Sequence, residues 1–138
     1  KAYFKLGQIH QSFVSGYSYD QGATLNALNY FEDYLILYDQ PSRRGPDESV
    51  SDYEKRLKEG AERKKIAQVG KNDMRESLAQ SKLEIGKYIE NYGKYFLTHW
   101  RELGNQPALQ FYNQAITTAP ESSAAREAEL RVAELRND

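Results

Sequence analysis

An alanine followed four positions later by an aromatic residue occurs twice along this chain of 138 residues. Ala27 is followed four positions later by Phe31, and Ala108 is followed four positions later by Tyr112. Residues four apart lie on the same face of an α-helix, so each pair would share one face. The small residue lets a second helix approach closely, and the aromatic ring fills the gap beside it. The spacing therefore predicts helices that pack in pairs.

Hydrophobic residues recur at helical intervals along most of the chain, and no segment alternates as a strand would. Helices are predicted over about residues 2–14, 24–38, 47–68, 74–103, 108–118 and 122–138. Either Asp47 or Ser49 is expected to cap the third helix, and either Ser122 or Ser123 the last one. Residues 70–73 are predicted to interrupt the pattern before the long helix.

Two glycines, Gly86 and Gly93, lie inside the predicted long helix. Glycine costs a helix interior up to ~1 kcal/mol relative to alanine, so a compensating reason is expected. Close passage of a neighbouring helix at these two positions supplies that reason. The long helix is therefore predicted to be the structural spine of the chain.

The arrangement resembles tetratricopeptide repeats, whose first helix follows W-x2-L-G-x2-Y and whose second follows A-x3-F before a closing proline. In the first unit the first-helix pattern is matched by Tyr3, Leu6, Gly7 and His10, and Pro41 closes the second helix. The resemblance implies an all-α fold, a tetratricopeptide-type α-solenoid of helical hairpins with one long helix. Such arrays bury their core only by stacking, so neighbouring repeats are expected upstream.

The second unit keeps mainly the second-helix half of this pattern. Ala115 follows Tyr112 by three positions, and Pro120 closes the helix. The first helix of this unit keeps only aromatic residues such as Tyr95 and Trp100. Residues 1–138 are thus expected to form a single repeat domain, divided into a first hairpin with an expanded loop (1–42), a charged insertion or linker helix (43–76), a second hairpin (77–120) and a terminal helix (121–138).

Composition narrows the classes of function. The formal net charge of -1 lacks the basic excess that binding to a phosphate backbone needs, so nucleic acid is not an expected partner. The absence of cysteine excludes disulfides, thiolate metal sites and thiol nucleophiles. No apolar run approaches the ~20 residues of a membrane-spanning helix. The chain begins at Lys1 within a helical pattern, and we expect it to be a domain excised from a longer protein.

No group of residues is spaced for catalysis or for binding a cofactor. His10 takes the aromatic position of the repeat and His99 lies beside Trp100, so both are expected to pack or to lie at the surface rather than bind metal. Adjacent carboxylates such as Glu32 and Asp33 point in different directions, which does not suit a general acid and base. We expect a protein that is not an enzyme and has no cofactor and no metal site.

The segment 54–65 carries two basic clusters, at residues 55–58 and 63–65. Glu54, Glu59 and Glu62 are interleaved with them, which favours a solvated, charged helix face. Binding of an acidic partner is the alternative interpretation of the same clusters.

The chain contains 11 tyrosines, and most of its aromatic residues are predicted to fill the core between hairpins. Tyr17 and Tyr19 differ because they lie in the expanded loop, outside any helical periodicity. Tyrosine buries a large area at low entropic cost and is common at protein interfaces. Tyr17 and Tyr19 are therefore predicted to contact a partner protein or a neighbouring repeat.

A narrower resemblance is carried by residues 2–10 (AYFKLGQIH), by the loop with Asp20 and Gln21, and by residues 24–42. These segments resemble the third-repeat region of the BamD (ComL) outer-membrane lipoprotein family, including its expanded loop. The stretch 94–135 resembles the next repeat of that family. The resemblance covers about residues 1–42 and 77–136, whereas 43–76 is longer and more charged than the expected link.

This resemblance implies a non-enzymatic, protein-binding scaffold at the periplasmic face of the outer membrane. It implies a lipid anchor outside these residues and a role in helping BamA to insert β-barrel proteins. The implied partner is the periplasmic region of a BamA-like protein. The alternative is a generic tetratricopeptide adapter that binds peptides or proteins outside this pathway.

Overall fold

The computed structural model describes residues 1–14, 16, 21–96 and 98–137, and for Trp100 only the backbone. All regular structure in these residues is helical. The helices are α1 (Ala2–Ser12), α2 (Gly22–Leu37), α3 (Val50–Phe96), α4 (Thr98–Leu103), α5 (Gln106–Thr118) and α6 (Ser123–Asn137). None of these helices is both long enough and apolar enough to cross a membrane. The all-α class is confirmed here, and the α-solenoid arrangement stays a prediction.

Helices α1 and α2 and the first half of α3 form one compact unit, which includes residues 1–14 and 22–74. Phe31 of α2 is fully buried in it, and its ring lies against the backbone of two glycines. A Cβ atom added at Gly7 of α1 would lie 2.7 Å from this ring, and so would one added at Gly70 of α3. Small residues therefore admit an aromatic ring here, as the sequence predicts.

A second compact unit contains α3 from Arg75 onward, together with α5 and α6. Tyr112 of α5 is fully buried, and a Cβ atom added at Gly86 of α3 would lie 2.7 Å from its ring. The core around this ring is completed by small side chains of α5 and α6, including Ala108, Ala115, Ala124 and Ala128. The close approach predicted at Gly86 is confirmed, and Gly93 is buried as well.

The interruption predicted at residues 70–73 is wrong, because α3 is continuous over 47 residues. Packing of Phe31 on Gly70 offsets the weak helix propensity of glycine at this point. Lys71 adds an ion pair to Glu32 of α2 at 3.6 Å. Residues 98–103, which the prediction includes in the long helix, are helical as well and form α4. Residue 97, between α3 and α4, lies outside the described residues.

The charged first part of α3 buries little, as predicted. None of residues 50–66 is buried, and the first buried position is Ala67. Ser49 caps the helix, because the Asp52 backbone N–H donates to Ser49 Oγ at 3.1 Å. Ser122 does the same for α6, where it accepts from the Ala125 N–H at 3.0 Å. Of each pair of candidate caps, Ser49 and Ser122 therefore satisfy the free N–H groups of their helices.

Candidate protein-binding surface

The last third of α3 has two apolar faces. One face carries Ala79, Leu83 and Gly86, which are all buried against α5 and α6. Its small residues leave room for the ring of Tyr112. This face therefore holds the helix in the core of the second unit.

The opposite face carries a row of large apolar side chains that are exposed. We call this row the aromatic surface, and it consists of Ile85, Tyr88, Tyr92, Tyr95 and Phe96. Ile85, Tyr88 and Tyr92 are three or four residues apart, and Tyr95 and Phe96 follow Tyr92 by three and four residues. All five therefore project from one side of the helix. Their exposed fractions lie between 38% and 71%. A helix that is apolar on two faces normally buries both, so this second face is a candidate binding surface.

The rings of the aromatic surface pack against one another. The ring centroids of Tyr88 and Tyr92 are 5.2 Å apart, and those of Tyr88 and Phe96 are 6.0 Å apart with an angle of 18° between the ring planes. The Lys94 ammonium lies 5.2 Å from the ring centroid of Tyr95. Mutual packing lowers the number of conformations that the rings must lose when a partner binds. The surface is thus partly ordered before any contact is made.

A polar network fixes the core side of the same helix segment. The Tyr112 hydroxyl donates to Glu90 Oε2 at 2.5 Å, and Arg131 of α6 forms an ion pair with the same carboxylate. Burial, and then the neighbouring Glu90 carboxylate, raise the pKa of the Tyr112 phenol. The hydrogen bond to Glu90 raises the pKa of Arg131. Three helices, α3, α5 and α6, are therefore tied together directly behind the aromatic surface.

The position of these rings corrects one sequence-based prediction. Most aromatic residues are predicted to fill the core between hairpins, but Tyr88, Tyr92, Tyr95 and Phe96 are exposed. The reason is that the face of α3 with the small residues packs against α5. The opposite face, which carries the rings, therefore points away from α5. The separate periodicities of small and aromatic residues in 79–96 are the sequence signal that distinguishes the two faces.

The other residues singled out in the sequence do not join this surface. Tyr17 and Tyr19 lie outside the described residues, so the prediction for them stays a prediction. The ring of His10 stacks on that of Tyr30 with 5.3 Å between centroids, in the first unit. His99 Nδ1 lies 3.9 Å from Glu102, and both side chains are exposed. Within the described ranges, His, Asp and Glu form no group of three that could hold a metal ion.

Comparison with protein-family models, with curated proteins and with solved structures gave no match. The interpretation of the aromatic surface therefore rests on its own geometry. That geometry offers apolar area, phenol hydroxyl groups and a nearby ammonium group. Such a set of groups suits the binding of another protein.

Proposed function

We propose that this chain is a non-enzymatic scaffold that binds another protein through the aromatic surface. The observation that carries the proposal is the row of packed, exposed rings at Tyr88, Tyr92 and Phe96 on a helix whose other face is anchored in a core. Tyrosine is enriched among the residues that dominate binding energy at interfaces, since it combines apolar area with a hydroxyl group. Exposed apolar patches of this kind mark interaction sites on soluble proteins.

The more specific proposal is a BamD-like role in the assembly of outer-membrane β-barrel proteins, with a lipid anchor outside these residues and a BamA-like periplasmic region as the partner. Its support is the sequence resemblance of residues 1–42 and 77–136 to that family. The resemblance includes the expanded loop within the first hairpin and the helical pattern of the second hairpin. The aromatic surface lies within the second of these segments. Under this proposal, the aromatic surface is the part of the chain that contacts the BamA-like periplasmic region.

Isothermal titration calorimetry tests both levels of the proposal. The full chain is titrated with the purified periplasmic region of the BamA-like protein from the same organism. The double variant Tyr88→Ser, Tyr92→Ser is expected to lose binding by at least tenfold, since removal of one interface anchor commonly costs about 2 kcal/mol. The double variant Ile36→Ser, Leu37→Ser is the control, because both residues are exposed at the end of α2 in the first unit.

The outcomes separate the candidate functions. Binding that depends on Tyr88 and Tyr92 supports the assembly role. Absence of binding by a chain with the circular dichroism spectrum of a folded helical protein removes the assembly role and leaves the generic adapter. Binding that is unchanged in the tyrosine variant shows that the aromatic surface is not the contact.

A further inference from the structure

Gly60 has a different environment from the other glycines of α3 described above. A Cβ atom added at Gly70 or Gly86 would lie 2.7 Å from an aromatic ring, whereas one added at Gly60 would meet no atom of the described residues within 4 Å. A glycine in the middle of a helix costs about 1 kcal/mol relative to alanine. No packing contact with a residue in the described ranges offsets that cost at Gly60. Glycine also occurs where a ligand must approach the backbone closely, and this is the alternative reason for its presence.

Gly60 lines a cavity of about 410 Å³ in the first unit, between the end of α2 and the charged part of α3. We call it the Gly60 cavity. Its apolar wall includes Tyr34, Tyr38, Leu57 and Ala61. The rings of Tyr34 and Tyr38 pack together with 5.0 Å between centroids. A cavity of this volume, with an apolar wall and a few polar groups, has the dimensions of a small ligand site.

The polar rim of the Gly60 cavity is mostly basic. Arg56, Arg63 and Lys64 line it together with Lys1, and among the described residues Asp39 is the one acidic residue of the lining. Two of these cations already have carboxylate partners. Arg56 donates to Glu48 Oε1 at 2.8 Å, and Lys64 donates to Asp39 Oδ1 at 2.8 Å.

Arg63 is half-buried in the rim and forms no ion pair with any described residue. A guanidinium group in this position presents several donors in a planar array that matches a carboxylate. The site thus combines the unpaired cation of Arg63, apolar side chains and the open space at Gly60. These features suit an anion that carries an apolar group. The interleaved glutamates at 54, 59 and 62 do not fill this site, since none of them lines the cavity.

We propose that the Gly60 cavity binds an acidic peptide segment of a partner protein, with one carboxylate on Arg63 and an adjacent hydrophobic side chain against Tyr34, Tyr38 and Leu57. The inference rests on the proposed function in one respect, which is that the ligand belongs to a protein. It uses different residues, in the other compact unit, so its test does not depend on the aromatic surface. According to this inference, the basic clusters of α3 bind an acidic partner. The sequence alone favours the other interpretation, a solvated helix face.

The test is a titration of the ¹⁵N-labelled full chain, with the backbone amide signals of Gly60 and Ala61 as the readout. The probes are an acetylated and amidated peptide with the sequence Glu-Phe-Glu and its uncharged counterpart Gln-Phe-Gln. Sodium acetate and inorganic phosphate at the same concentrations separate a peptide site from a site for any small anion. We expect the Glu-Phe-Glu peptide to shift both signals and to bind at least about tenfold more tightly than the other probes.

Three variants make the result specific. Arg63→Gln is expected to weaken binding of Glu-Phe-Glu by about tenfold. Gly60→Leu fills the open space, so it is expected to abolish binding while the unfolding midpoint stays equal or rises, because leucine favours a helix more than glycine. Lys65→Gln is the matched control, since Lys65 is exposed on the same helix and does not line the cavity. It is expected to bind like the natural chain.

Several results would overturn the proposal. Equal binding of the two peptides, equal shifts with acetate or phosphate, or undiminished binding by Gly60→Leu would each do so. If these tests fail while the tyrosine variant still loses the BamA-like partner, only the Gly60 cavity loses its assignment. If the peptide binds as expected and the tyrosine variant retains its partner, the aromatic surface loses its assignment and the cavity keeps its own.

Discussion

Gly86 and Tyr112 are in contact so close that no side chain fits between them. A Cβ atom on Gly86 would lie 2.7 Å from Cε1 and 2.8 Å from Cδ1 of the ring. The ring cannot withdraw easily, because Tyr112 is fully buried and its hydroxyl is bound to Glu90. The glycine therefore sets the distance between α3 and α5.

The substitution Gly86→Ala is expected to destabilise the chain by about 1–3 kcal/mol, because overpacking outweighs the gain in helix propensity. Gly60→Ala is the matched control on the same helix, where the added methyl group meets open space. It is expected to stabilise by about 0.5–1 kcal/mol. Urea unfolding followed by circular dichroism measures both. Equal changes in the two variants would show that the ring of Tyr112 yields without cost.

The hydroxyl of Tyr112 is expected to contribute to stability through Glu90. Tyr112→Phe keeps the ring and removes one hydrogen bond to a carboxylate, so we expect a loss of about 1–2 kcal/mol. Arg131→Gln is expected to cost more, because Glu90 is only 15% exposed and would lose its ion-pair partner. The midpoint of urea unfolding at neutral pH is the measurement. A larger loss in Tyr112→Phe than in Arg131→Gln would contradict the assignment of Arg131 as the main partner of Glu90.

Acid is expected to release the contact between Glu48 and Arg56. The hydrogen bond from Arg56, and then that from the Gly45 N–H, lower the pKa of Glu48 to about 2 from an ordinary value of 4.5. Because the folded pKa is below the unfolded one, ionised Glu48 stabilises the fold above about pH 4.5, and this contribution disappears as the pH falls toward 2. Glu48→Gln is therefore expected to be less stable than the natural chain at pH 7, and this difference is expected to be much smaller at pH 2.

The pH prediction is checked by the urea midpoints of both proteins at the two pH values. A carbon-detected titration of the Glu48 carboxyl group supplies an independent midpoint. A stability difference that persists unchanged at pH 2, or a titration midpoint above 4, would show that the pair with Arg56 does not form in solution.

Much of the fold could be predicted because hydrophobic periodicity and capping residues act locally. Ser49 and Ser122 cap helices at two of the predicted starts, and the pairing of Ala27 with Phe31 marks a buried helix face. The continuity of α3 could not be predicted, because it depends on the ring of Phe31 meeting Gly70 from a distant part of the chain. Local rules treat such a glycine as a break, and tertiary packing reverses the effect.

The candidate sites were harder to derive from sequence. Aromatic residues at helical spacing have the same pattern whether their face is buried or exposed, so the pattern does not show that Tyr88 and Tyr92 are exposed. The assignment of the Gly60 cavity as an anion site depends on which of its cations already have carboxylate partners. The sequence does not show that Arg56 binds Glu48. Exposure and ion pairing are properties of the folded chain, so the periodicities in 79–96 indicate two helix faces but not which of them is exposed.

Whether the aromatic surface meets a partner protein is tested most directly by photo-crosslinking in cells that produce the full-length protein. A benzophenone amino acid is placed at Tyr92 and, as the control, at Leu130 of α6, which is 66% exposed. A discrete crosslinked protein is expected from position 92 and none from position 130. No crosslink at position 92, or the same products from both positions, would contradict a protein-binding role for the aromatic surface.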